Sequence, residues 1–290
     1  MPRWLITGAS GQLGARVLHA LLARKHADLL ALVGTREPPP GAAIARIPLD
    51  DVEALRRTVR DFAPDFVIHT AAMTAVSEAF ARPDDARRQN TLATRILAES
   101  AAECGARFLF TSTDMVFDGA NAPYTEDAAP TPLSVYGRTK ADAERAIADL
   151  PHTLTVRIPL LFGLPATPRP STFANQLAAL RENREQTLFT DEFRTPMWNR
   201  DAAEALIRLA ESDVAGVLHL CGPQRLSRME MIVAVARAMG IASPAIRPIS
   251  RLDVAGPEPR PADLSLRAER FGRLFPDFSP TPVSDPRTWS

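Results

Sequence analysis

The sequence predicts an α/β fold with a doubly wound parallel sheet of the Rossmann type. Short apolar runs alternate with longer segments of helical apolar spacing through the first half of the chain. A glycine-rich turn, Gly8-Ala9-Ser10-Gly11-Gln12-Leu13-Gly14, stands at the first strand-to-helix junction. A chain of 290 residues, 46% of them hydrophobic, can also bury a core of the size such a sheet needs.

The elements follow in order. Arg3 to Thr7 reads as a strand, and Leu13, Val17, Leu18 and Leu21 recur at helical spacing after it. Leu29 to Val33 is a buried strand, ended by Pro38-Pro39-Pro40, and Ile44 to Leu49 is a third. Asp51 is placed to cap a helix whose apolar face is Val52, Leu55, Val59 and Phe62. Phe66 to Ile68 is a fourth strand and Arg107 to Thr111 a fifth, with a helix around Leu92, Ile96 and Leu97 between them. Tyr136 to Leu150 is helical, and Thr153 to Ile158 is a sixth strand.

The second half is less regular. Prolines 165, 168 and 170 mark an excursion from the sheet, and a helix around Ala202, Leu206 and Leu209 with a strand Val217 to Leu220 returns to it. Ser227 and Glu230 form a capping box for a helix expected to turn Met229, Ile232, Val233 and Ala236 inward. The division expected is a dinucleotide-binding domain of residues 1–163 completed by 196–221. A substrate-binding cap is expected from 164–195 and 222–290.

Composition excludes several classes. Lys+Arg 34 balances Asp+Glu 34, which argues against a nucleic-acid or basic membrane-surface partner. No stretch approaches the ~20 apolar residues that span a bilayer, and the start of the chain is too short in apolar residues for a secretory signal. Cys104 and Cys221 alone support neither a disulfide framework nor a zinc site, and His19, His26, His69, His152 and His219 show no metal-ligand spacing. A cytoplasmic protein, monomeric or homodimeric, is the expectation.

Glycines at a first strand-to-helix turn let backbone approach a pyrophosphate at the helix N-terminus, so Gly8, Ser10, Gly11, Gln12, Leu13 and Gly14 are cofactor-binding candidates. NAD sites place a carboxylate about 20 residues further on, at the end of the second strand. Here that position reads Gly34-Thr35-Arg36, and a guanidinium suits a 2′-phosphate, so NADPH is expected over NADH. Asp50 is a candidate for the adenine edge.

Of the 34 basic residues, 32 are Arg and two are Lys25 and Lys140; only Tyr124 and Tyr136 are tyrosines. Tyr136 and Lys140 sit at i and i+4, on one helical face. An ammonium there is expected to bring the phenol's pKa down and to donate to ribose hydroxyls. Arg would serve poorly in that place, having a planar head of different donor geometry. Thr113, after the fifth strand, offers a hydroxyl to a substrate carbonyl.

Phe110-Thr111-Ser112-Thr113-Asp114-Met115-Val116-Phe117-Asp118-Gly119, Pro123-Tyr124-Thr125-Glu126-Asp127 and Tyr136-Gly137-Arg138-Thr139-Lys140 resemble the dTDP-4-dehydrorhamnose reductase family of extended short-chain dehydrogenases. The resemblance runs through Arg260-Pro261-Ala262-Asp263-Leu264. It implies Thr113, Tyr136 and Lys140 as the catalytic set. It implies Ala71, Ala72, Met73 and Pro159 beside the cofactor, and Thr74, Thr113, Met115 and Leu160 beside a nucleotide-sugar substrate. Met115 and Leu160 depart from the Tyr and Trp that family tends to present, which implies a different or less polar carbonyl compound. Arg16 stands where some members carry a metal-binding Glu, so no metal is expected. The Arg157-Ile158-Pro159 run and Cys221 to Met239 are similar to the regulatory β subunit of methionine adenosyltransferase, which implies the alternative of a non-catalytic NADP(H)-binding subunit.

Overall fold

The computed structural model describes residues 1–289 apart from His26, Arg169 and Pro170, so what the sequence suggests for His26 and Pro170 lies outside the described residues. In chain order the elements are β1 (Arg3–Thr7), α1 (Gln12–Arg24), β2 (Asp28–Val33), β3 (Ala43–Arg46), α2 (Val52–Phe62) and β4 (Phe66–His69). Next come α3 (Val76–Ala81), α4 (Pro83–Arg87), a π-helical turn (Arg88–Leu92), α5 (Ala93–Glu103), β5 (Arg107–Thr113), α6 (Val135–Ile147) and β6 (Thr153–Ile158). The second half adds β7 (Leu161–Phe162), α7 (Thr172–Arg181), β8 (Gln186–Phe189), β9 (Phe193–Arg194), β10 (Met197–Trp198) and α8 (Asn199–Ala210). It ends with β11 (Gly216–His219), β12 (Leu226–Ser227), α9 (Arg228–Ala238), β13 (Ile246–Ile249) and α10 (Glu269–Leu274).

Seven strands form one parallel sheet in the order β11-β6-β5-β4-β1-β2-β3. The order reverses at β1, so a crevice opens beyond the carboxyl ends of β1 and β4, where such sheets bind ligands. Side chains alternate across the sheet: Trp4 and Ile6 pack with α1 and α8, while Leu5 packs with Leu55 and Val59 of α2 and Leu97 of α5. Each fully buried side chain of this size contributes ~1.5–3 kcal/mol. Phe162, Phe173, Leu177, Leu188, Met231, Ile232 and Val235 form a third core beyond the sheet.

The structure differs from the sequence expectations in several places, among them α6, which ends at Ile147 and not Leu150, and β11, which runs one residue earlier than expected. β3 stops at Arg46 and is largely exposed, as an edge strand is. β5 continues through Thr113, so the sheet itself carries Thr111, Ser112 and Thr113 to its rim. The helix around Leu92 is α4 and α5 joined by the π turn, whose extra residue turns Asn90 into the interior. In α9 the inward face is Met231, Ile232, Val235 and Ala236, with Met229 and Val233 half-buried. The Ser227 and Glu230 capping box is present and fixes where that helix starts.

Candidate active site

The glycine turn is built for close approach. A Cβ on Gly14 would stand 2.3 Å from the Gly8 carbonyl oxygen and 2.6 Å from Thr70 Oγ1, so only glycine lets α1 dock on the end of β1. Gly11 caps α1 by its backbone alone, with no side-chain acceptor on the helix's first amides. Those amides, carrying the positive end of the helix dipole, are open to an anion. The Thr70 hydroxyl donates to the Thr7 carbonyl (2.8 Å), and the Ala71 amide donates to the Thr7 hydroxyl (3.2 Å). The end of β4 is thereby tied to the turn.

A cavity of about 950 Å³ opens beside this turn. Gln12, Leu13, Ala72, Thr74, Thr113, Met115, Tyr136, Lys140, Pro159 and Leu160, all expected from sequence, line it. Gly8, Ser10, Gly11, Gly14, Ala71 and Met73, also expected from sequence, are not among its lining residues. Thr35 and Arg36 are exposed past the end of β2, and Arg36 makes no ion pair among the described residues, while its neighbour Glu37 pairs with Arg46. Asp50 is exposed after β3, and the Asp51 carboxylate accepts from the Ala54 amide (3.0 Å), capping α2.

α6 brings the phenol and the ammonium to this cavity. Ser134 caps the helix by accepting from the Gly137 amide (3.0 Å). Gly137 lets it lie against the turn after β5, since a Cβ there would fall 2.2 Å from the Met115 carbonyl. Thr113 Oγ1 donates to Asp114 Oδ1 (3.1 Å) and accepts from the Met115 amide (3.2 Å). The ammonium of Lys140 lies 4.1 Å from the centroid of the Phe110 ring. Lys25, by contrast, is an exposed helix-end residue, and Tyr124 is spent on structure. The Tyr124 phenol stacks on Phe117, donates to Asp118 (2.6 Å) and accepts from the Gly119 and Asn121 amides.

The electrostatics correct one expectation. Burial pushes the Tyr136 phenol up to about 12, against the lowering influence of the neighbouring Thr113 hydroxyl and with a further push from the Asp114 carboxylate. Burial likewise brings Lys140 down to about 7, against the attraction of Glu144. Desolvation favours the neutral form of each group and sets the direction of both shifts. Glu144, four residues beyond Lys140, is held by Arg157 at 2.8 Å in a buried pair. Arg157 therefore supports α6 and is not among the residues lining the cavity.

Two groups of residues escaped the sequence. Buried Asn90 accepts from the Met73 amide (2.7 Å) and donates to the Met73 carbonyl (3.1 Å) and Thr139 Oγ1 (3.0 Å). It locks the segment after β4 to α6, and only the π turn, which leaves no mark in one sequence, aims it there. Across the cavity stand Glu192, Arg194, Arg228 and Arg260. Arg194 lies 3.6 Å from Asp114, and Arg260 pairs with Glu192 (2.5 Å). Burial, with Arg194 and Arg260 nearby, lowers the Arg228 pKa despite Glu192 and Asp114. The forked donors of Arg194, Arg228 and Arg260 suit this wall to an anion.

A sequence model of the family described as RmlD substrate binding domain matches residues 2–281. The chain belongs to that family. Among RmlD-type relatives, a dTDP-4-dehydrorhamnose reductase of Streptomyces griseus is 33% identical over 279 residues, covering 93% of this chain and 87% of its own. The methionine adenosyltransferase 2 subunit beta of Rattus norvegicus is 31% identical over 279 residues, covering 94% and 82%. The crystal structure of a dTDP-4-dehydrorhamnose reductase from Clostridium acetobutylicum superposes with a TM-score of 0.84 at 26% identity, covering 97% of this chain and 95% of that one. The Arg16 guanidinium donates to the Leu164 carbonyl (2.7 Å). No helix among the described residues is long and apolar enough to cross a membrane.

Proposed function

We propose that this protein is an NADPH-dependent reductase of a keto group in a nucleotide sugar or a related carbonyl compound. The observation that carries the reading is one cavity in which Thr113, Tyr136 and Lys140 meet, with an open helix N-terminus at one end and arginines across from it. The residues fit a dinucleotide. Gly8, Ser10, Gly11, Gln12, Leu13 and Gly14 would hold its pyrophosphate, and Thr35 and Arg36 its 2′-phosphate. Asp50 would meet the adenine edge, and Ala71, Ala72, Met73 and Pro159 would flank the rest. When bound, the cofactor supplies the hydride.

The chain's own groups do the remainder. Tyr136 Oη gives its proton to the carbonyl oxygen, and its raised pKa keeps that proton in place until the oxygen becomes basic. Thr113 Oγ1 turns its single proton from Asp114 Oδ1 to the same oxygen. Lys140 Nζ donates to ribose hydroxyls and, when charged, favours the phenolate left after transfer. Arg194 and Arg228 bind the substrate's diphosphate, and Thr74, Met115 and Leu160 contact its other parts. In this division of labour residues 1–163 and 196–221 hold the cofactor. Residues 164–195 and 222–290 close over the substrate.

The test is NADPH oxidation in the presence of 4-keto nucleotide sugars. Tyr136→Phe is expected to lower kcat by about 10²-fold or more, leaving the NADPH Kd unchanged, because the donor acts in the chemical step. Full turnover in that variant would overturn the mechanism. The similarity to methionine adenosyltransferase 2 subunit beta favours a second reading, a regulatory NADP(H)-binding subunit. Stoichiometric NADPH binding without turnover of any keto sugar, together with co-purification with a synthetase, would establish it instead.

A further inference from the structure

Between β13 and α10 the chain crosses the mouth of the cavity as a strap, Val254-Ala255-Gly256-Pro257-Glu258-Pro259-Arg260-Pro261, every residue of which lines it. Both ends are fixed by one pair of neighbours. Asp191 accepts from the Ser250 hydroxyl (2.6 Å) and the Arg251 amide (2.7 Å), and Glu192 holds Arg260 (2.5 Å). Pro257 and Pro259 stiffen the span between them, and Pro261 follows directly after it.

From the middle of the strap Glu258 reaches the catalytic helix. Its Oε1 accepts from the Val135 amide (2.6 Å), one of the unpaired donors at the start of α6 and the residue before Tyr136. Arg138 stands 3.5 Å from the same oxygen. The side chain is 8% exposed, and its second oxygen, Oε2, is shut off from solvent with no hydrogen-bond partner among the described residues. A buried acceptor left unpaired is costly, and the cost is relieved by a donor that arrives with a ligand. Met115 and Leu160 offer no hydrogen bond from the opposite wall.

Resting on the reductase reading above, we propose that Glu258 is a specificity-determining residue whose carboxylate turns about its Oε1 contact as the substrate enters, uncovering Oε2 to accept a hydroxyl of the sugar. Its place beside the residue preceding Tyr136 puts it at the reacting end of the cavity, so the donor belongs to the sugar and not to the base. Oε1 keeps the strap seated on α6 while Oε2 reads the ligand.

The experiment titrates dTDP-glucose and dTDP, as non-reacting probes, into the NADPH complexes of wild type, Glu258→Gln and Glu258→Ala. Glutamine keeps an acceptor for Val135 and replaces Oε2 by a donor. Glu258→Gln is expected to weaken dTDP-glucose about 10- to 100-fold, with dTDP, NADPH and Tm unchanged. Glu258→Ala loses the cap as well, so its Tm falls, and glutamine restores that Tm without restoring the sugar affinity. Equal dTDP-glucose affinity in wild type and Glu258→Gln would overturn the assignment and leave the reductase reading intact. Equal weakening of dTDP and dTDP-glucose would overturn it too, moving the contact to the nucleotide. A wild type that binds NADPH but neither probe would refute the nucleotide-sugar reading, and the assignment would fall with it.

Discussion

Lys140→Met tests the electrostatics of the buried site directly. Methionine fills a similar volume without the ammonium, so packing beside Phe110 is retained. In the wild type burial brings Lys140 down to about 7, while in the unfolded chain a lysine titrates near ~10.4. The folded-state value is the lower one, so between these two pH values the unfolded chain binds the extra proton. Stability of the wild type therefore rises with pH across that window. From pH 7 to pH 9 the rise is about 2 kcal/mol, set by ~1.4 kcal/mol per pH unit once the folded lysine is mostly neutral. The variant lacks this term, so chemical denaturation of the two proteins at pH 7, 8 and 9 isolates it. His69 and His219 are held at about 3 by burial, with Lys140 a further push on His69, far enough below pH 7 to be neutral in the fold across the whole range. Lys140→Met is expected to be the more stable protein at pH 7, with an advantage that shrinks by about 2 kcal/mol at pH 9. It is also expected to lose reductase activity. A stability difference that stays flat from pH 7 to pH 9 would refute the claim that the ammonium is buried at an energetic cost.

The remaining predictions concern ligands. Arg36→Ala is expected to weaken NADPH far more than NADH in fluorescence titrations, because the exposed guanidinium makes no ion pair among the described residues; equal losses would reduce Arg36 to a loop residue. dTDP-4-dehydrorhamnose is expected to be a poor substrate, since Met115 and Leu160 provide an apolar wall in place of aromatic faces and a phenol donor. A steady-state kcat/KM in the ~10⁴–10⁸ M⁻¹s⁻¹ range of efficient enzymes would show that these two side chains do not decide the substrate.

The sheet was legible because its strands are short apolar runs punctuated by glycine, proline and capping residues, all local signals. Asp51 and Ser227 announced their helices for the same reason. Lys140 stood out because 32 of 34 basic residues are Arg, and the structure buries it while leaving Lys25 exposed. That same abundance hid Arg194 and Arg228, whose importance comes from the walls that surround them. Asn90 was hidden by a π turn that shifts the helical phase. Glu258 meets a backbone amide 123 residues away, a pairing no spacing rule can register. The phenol's pKa was misjudged because helical adjacency reveals a neighbouring charge but not the depth of burial.

The order of the sheet also bears on how the chain comes off the ribosome. Once residue 158 has emerged, six strands can pair, yet β6 has a partner only on its β5 side. Its other edge is closed by Gly216–His219, which follows nearly sixty residues later, after the whole of α7 and α8. At ~5–20 residues per second, that edge stands open for several seconds during synthesis. A bare row of strand amides and carbonyls is a template for pairing with another chain. Truncation before Gly216 would make the opening permanent and leave a product prone to aggregate.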